Sequence, residues 1–102
     1  MNSPQAVGQL INFQDGSVVS KEIINKPAGT VTLFAFDTDQ GLSEHTAPYD
    51  ALVLAIAGNA NITVSGVVNL IKPGEFLLMP ANSPHSLKAL EPFKMLLTMI
   101  RW

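Results

Sequence analysis

The chain has 102 residues, of which 47% are hydrophobic and 14% charged, with no cysteine and a net charge of −2. A chain of this length is expected to be one domain spanning 1–102 with one core, burying roughly 60–65% of the surface its unfolded form exposes. The weak negative charge and the lack of any Lys/Arg cluster exclude a nucleic-acid footprint, no apolar run approaches the ~18 residues of a spanning helix, and the opening Met-Asn-Ser-Pro-Gln is no signal peptide, so neither nucleic acid nor membrane is expected as a partner and the setting is expected to be cytoplasmic.

Residues 1–16 carry the least pattern and are expected to be irregular or to cross onto a partner subunit, leaving a core over 17–101. From Ser17 onward, short apolar or alternating runs are punctuated by Gly, Pro or Asn at the spacing of an all-β sandwich or barrel. The expected strands are Val18–Ile24, Thr30–Asp37, Ser43–Ala47, Asp50–Ala57, Ala60–Ser65, Val67–Ile71, Glu75–Met79, Ser86–Ala89 and Phe93–Arg101. Nothing reads as a helix. Gly58-Asn59 and Ser65-Gly66 are two-residue hairpin signals, and Lys72-Pro73-Gly74 is a turn in which Pro sets φ. Together they predict an antiparallel meander.

Two runs, Ala51–Ala57 and Met95–Ile100, lack the polar residue at every second place that a half-solvated strand shows. Both their faces must therefore be covered. One face is the interior. The other needs a second sheet or the N-terminal strands, and a charged content of 14%, against about 25% in an ordinary soluble domain, favours a second copy of the chain and hence a homodimer. Trp102 is either a contact between the copies or a lid.

The two histidines, His45 and His85, each sit at a defined distance from glycines and prolines. Gly74 is followed by Pro80, Asn82 and Pro84-His85, while His45 is followed by Ala47, Ala51 and Gly58. This layout resembles the paired motifs of the cupin superfamily, whose first motif carries two histidines and a glutamate and whose second carries one more histidine, all four converging on a metal ion. The resemblance covers roughly residues 30 to 101. It implies an all-β, cupin-type antiparallel barrel or sandwich, a jelly-roll-like double-stranded β-helix, with His45, Ala47, Ala51 and His85 on the barrel interior. Single-domain cupins are commonly homodimers, which points the same way as the unalternating strands.

Against that pattern, Ala47 stands at the second histidine position and Ala51 at the glutamate position, so half the implied ligand set has no donor atom. Asp39 stands where the first motif opens with Gly, Ala89 where the second often ends with Asn, and Asn82 where it has Gly. Asn tolerates positive φ, so the turn Pro80-Ala81-Asn82-Ser83 survives that exchange.

Zinc in a catalytic site takes three protein ligands plus water, and mononuclear oxygenase iron takes two His and one carboxylate. His45 and His85 are the metal-ligand candidates for a divalent iron, manganese, zinc or nickel, and Asp50 is the preferred third donor, provided a bulge near Pro48 turns it inward. Glu44 has the wrong parity. Imidazole also serves a metal-free pocket, since one ring nitrogen donates and the other accepts. A small-molecule site then has His45 and His85 as polar anchors, Ala47 and Ala51 making room, and Met79, Met95 and Met99 with Phe34, Phe36, Phe76 and Phe93 as apolar lining. Catalytic candidates are His45, His85, Tyr49 and Asp50, the last two as acid or orienting partner. The bland reading of Pro48-Tyr49-Asp50 is a turn whose Asp caps backbone amides. A metal-free acid–base role in the manner of the cupin-type sugar epimerases lacks the basic residues that a nucleotide-sugar phosphate needs. Fold does not set function, and the two leading readings are a ligand-binding protein without a strong metal site and a metal-dependent oxygenase or isomerase.

Overall fold

The computed structural model describes residues 3–101, and Trp102, with its expected role as contact or lid, lies outside them. A single 3₁₀ turn at Val7–Gln9 precedes nine strands: β1 (Val18–Lys26), β2 (Gly29–Phe36), β3 (Gly41–His45), β4 (Asp50–Ala57), β5 (Ala60–Val64), β6 (Val67–Ile71), β7 (Phe76–Met79), β8 (His85–Ala89) and β9 (Phe93–Ile100). They form two antiparallel sheets, in the orders β1-β2-β9-β4-β7 and β3-β8-β5-β6. The fold is the cupin-type β-sandwich. Among the described residues no helix is long and apolar enough to cross a membrane.

Each expected strand is present, but the expected meander is not. Ser65-Gly66 does close a hairpin between β5 and β6, with both residues at positive φ (48° and 80°) as a type I′ turn requires. Gly58-Asn59 and Lys72-Pro73-Gly74 instead carry the chain from one sheet to the other, because β4 takes β9 and β7 as neighbours rather than β5. Gly58 has φ of 73°, and a Cβ there would collide with the Pro92 carbonyl, so the crossing runs hard against the turn that leads into β9. The Gly74 N–H donates to the Ala55 carbonyl (2.9 Å) and fixes the return crossing. Turn residues reverse a chain equally well within a sheet and between sheets. What chooses between them is the long-range pairing.

Alternation sorts the side chains. On the five-stranded sheet Phe34 and Phe36 of β2, Val53 of β4 and Met95 of β9 turn inward to meet Ile62 and Leu87 of the other sheet. Three rings adjoin in the interior, Phe34 stacked on Phe36 (centroids 5.8 Å apart) and Phe36 tilted against Phe93 (6.0 Å). Phe76 was expected in this lining and faces out instead, since Leu77 and Met79 hold the inward places of β7.

The outer face of the same sheet has two kinds of cover. At one end the N-terminal segment folds back on its own chain, with Leu10 and Ile11 packed on Leu33, Ala35, Ile56 and Leu96. Lys94 secures it: its ammonium donates to the Gly8 carbonyl (2.6 Å) and lies 4.9 Å above the Phe13 ring centre. At the other end Phe76 (63% exposed), Leu78 (60%) and Ile100 (54%) are bare.

Candidate functional site

The register of β3 against β8 sets His45 opposite His85 and Leu42 opposite Leu87. Three residues of β3 thus span what two span on β8, which is a bulge. Without that extra residue, plain alternation would send Leu42 and His45 to opposite faces; with it, both turn to the cavity between the sheets. The strand therefore ends at His45, two residues short of the expected Ala47.

The far side of the pair is held by the turn after β7. Asn82 takes φ of 67°, as its place in the turn requires, and its N–H donates to the Ala47 carbonyl (2.8 Å). The Ala81 N–H donates to Oδ1 of Asp50 (2.9 Å). These two bonds join the 46–49 loop to the turn that delivers His85. Asp39, whose presence at a glycine position had no ready reason, adopts φ of 68° with its N–H on the Ala89 carbonyl (2.9 Å), so it too does what a glycine would do there.

Both imidazoles are oriented alike. His45 Nδ1 lies 2.7 Å from the Ser43 carbonyl oxygen and His85 Nδ1 lies 3.0 Å from that of Ser83, in each case two residues back along the chain. A carbonyl oxygen only accepts, so each Nδ1 carries its hydrogen and donates it. The two Nε2 atoms then face each other across 3.1 Å, with ring centres 4.3 Å apart and planes inclined at 68°. Two neutral rings in this tautomer bring lone pair to lone pair. The pair is completed by an electron-poor guest: a proton, a metal ion, or the polarised O–H or N–H of a ligand.

Behind the pair lies a narrow cavity of about 50 Å³. Leu42, Val53, Ile62, Leu87 and Leu97 wall it, and His45, His85 and Ser86 are its polar contributors. Ala47, Ala51, Met79, Met95 and Met99 line it too, so seven residues singled out for a ligand, His45, Ala47, Ala51, Met79, His85, Met95 and Met99, come to one place, whereas Phe34, Phe36 and Phe93 are off its wall. Inward parity on β4, β5, β8 and β9 would also have found Val53, Ile62, Leu87 and Leu97. Leu42 was hidden by the bulge.

Asp50 and Tyr49 do not join the site. The carboxylate of Asp50 is engaged by the Ala81 amide, and the turn-capping reading prevails over the third ligand, because no bulge at Pro48 rotates it inward. Tyr49 lies beneath the Arg101 guanidinium, 5.1 Å from its ring centre, and away from the cavity wall. Among the described residues no group of three or more His, Cys, Asp and Glu side chains comes together. Two imidazole nitrogens and no carboxylate fall short of the donor sets of iron, manganese, zinc and nickel sites.

In solved structures the same architecture recurs. The chain is similar to a conserved protein of unknown function from Streptococcus pyogenes, with 27% identity over 100% of this chain and 90% of that one and a TM-score of 0.96. It is similar to a cupin superfamily protein from Desulfitobacterium hafniense, with 26% identity over 98% and 92% and a TM-score of 0.93. A cupin 2 conserved barrel domain protein from Leptotrichia buccalis shares 36% identity over 92% of this chain but 46% of its own length, with a TM-score of 0.89. No family model and no curated protein matches the chain.

Proposed function

This chain is a small cupin domain, and from that premise we propose that it binds a small molecule whose apolar body fills the cavity and whose O–H or N–H group sits on the two histidines. One observation carries this reading: the facing Nε2 atoms of His45 and His85, 3.1 Å apart, with each Nδ1 turned to a backbone carbonyl oxygen. An apolar pocket with a few convergent polar groups is the usual form of such a site. Replacement of two donor positions by Ala47 and Ala51 favours a guest over a divalent metal. A narrow cavity favours a compact guest.

A second reading is a metal-dependent enzyme of the oxygenase or isomerase type. It is favoured by the orientation of the rings, since Nδ1–H bonded to a backbone carbonyl is the posture of a metal-ligating imidazole. It needs a non-standard third ligand, and Oδ1 of Asp50 already accepts the Ala81 N–H. Both readings take the protein as a cytoplasmic homodimer joined through the bare part of the outer face.

Phenol and anisole test the ligand reading, because they share a ring and differ in the donor hydrogen. Titration followed by NMR of the methionine methyl and imidazole signals should show phenol shifting Met79, Met95 and both rings, with anisole at least about tenfold weaker. Equal binding of the two, or no response of the histidines, would remove the Nε2 pair as the anchor.

A further inference from the structure

We propose that the mouth of the cavity is a site for a soft monovalent metal ion, copper(I) in chemical class, held by Nε2 of His45 and His85 and by the thioether sulfurs of Met79 and Met99. The donors on hand do not suit the divalent ions that the fold family implies, and the mismatch has a direction. Ala51, at the place of the missing carboxylate, is flanked in register by Met79 on β7 and by Met99 on β9. Directly opposed residues of an antiparallel pair hold their Cβ atoms about 5 Å apart, and the methyl of Ala51 leaves the space between them free for two flexible side chains. All three residues line the cavity, as do His45 and His85. The four-stranded sheet thus contributes two nitrogens to the mouth, and the five-stranded sheet contributes two sulfurs.

The nitrogens constrain the geometry further. With metal–nitrogen bonds of about 2.0–2.1 Å, as imidazole makes to zinc, two nitrogens 3.1 Å apart subtend roughly 95–100° at the ion. A two-coordinate linear ion would need them about 4 Å apart on the same bond length. An ion seated here therefore has coordination positions left over, and they are filled by the sulfurs opposite. Thioether donors select copper(I), whereas carboxylate and water suit harder ions. Charge acts in the same sense. All four donors are neutral, so the ion keeps its full charge at the mouth, and whatever solvation it gives up to the apolar wall costs in proportion to the square of that charge. A monovalent ion meets a quarter of the penalty of a divalent one.

Methionine also fills cores with no ligand present, and Met95 supplies the contrast. It lies deeper along β9, opposite Phe34 and Ala55, and is 1% exposed. A site at the mouth uses Met79 and Met99 and leaves Met95 out. The inference shares the histidines with the ligand reading and goes beyond it, because the sulfurs play no part in holding a donor hydrogen.

Silver(I), a redox-inert probe of the same softness, is titrated into the wild-type protein with the methionine methyl and imidazole signals observed by NMR, and copper(I) affinity is measured by competition with a chromogenic chelator. One equivalent should bind, shifting the methyls of Met79 and Met99 and both imidazoles, with zinc(II) at least about a hundredfold weaker. The double variant Met79→Leu/Met99→Leu conserves volume and should lose at least about tenfold in silver(I) and copper(I) affinity, while Met95→Leu should not. Undiminished affinity in the double variant, zinc(II) binding as tight as silver(I), or no binding of silver(I) would overturn the proposal. Phenol binding to the wild type separates the two readings: if silver(I) binds as described and phenol leaves the histidines unshifted, the metal site stands without the ligand, and if phenol shifts them while silver(I) does not bind, the ligand reading stands without the metal.

Discussion

Asp37 shows what a single side chain does in this molecule. It follows β2, and its carboxylate accepts the Gly16 N–H (2.7 Å) and its neighbour Thr38 N–H (2.9 Å), which holds its pKa below the ordinary value of 3.8. A carboxyl with a depressed folded pKa contributes stability above its unfolded value and loses it as the pH falls through the folded one. Wild type should therefore exceed Asp37→Asn in thermal stability at neutral pH, and the two should converge in acid below the folded pKa; a gap that persists there would assign the effect to something other than the charge. The same scale shows what the sequence discloses. Asn82 was read as tolerating positive φ from its identity alone. Asp39 has the same capacity and escaped notice only because its turn partner, Ala89, lies far along the chain. Asp50 was misplaced for a related reason: whether a turn carboxylate caps an amide or meets a ligand depends on which amide the fold brings to it.

At the scale of elements, existence and order were legible and pairing was not. Alternation reports which face a residue takes, but it is silent on which neighbour the strand has, so β4 between β9 and β7 looks no different from β4 beside β5. The bulge in β3 is a register event, visible only when β8 is alongside. The residues expected to line a pocket, from His45 and His85 to Met79 and Met95, nevertheless come together on one cavity wall, because the motif spacing and the inward parity of the strands do not depend on which strands are neighbours. The crossing at Gly58 yields a sharp expectation. Alanine there must adopt a left-handed conformation that costs roughly 1–2 kcal/mol and must also push back the Pro92 carbonyl. Gly58→Ala should lower stability by about 2 kcal/mol or more, read from denaturant unfolding, whereas Gly74→Ala, with a similar φ of 86° and nothing near its Cβ, should lose only the conformational part.

For the molecule as a whole, the two unalternating strands predicted a covered outer face, and in the structure an N-terminal segment covers one end of it and leaves an open patch at the other. Leu54 is half-buried at the edge of the patch, between bare Phe76 on one side and Leu96, under the N-terminal segment, on the other. If a second copy completes the face, Leu54→Asp buries an unpaired carboxylate at several kcal/mol and should shift the protein from dimer to monomer in sedimentation, while Val68→Asp on the four-stranded sheet should not. A wild type already monomeric at micromolar concentration would remove the dimer.

The facing Nε2 atoms of His45 and His85 have a consequence for competition. A guest's donor hydrogen and a metal ion would take the same two lone pairs, so occupancy by one excludes the other. Phenol should therefore weaken the apparent silver(I) affinity in proportion to its concentration, which two separate sites would not show.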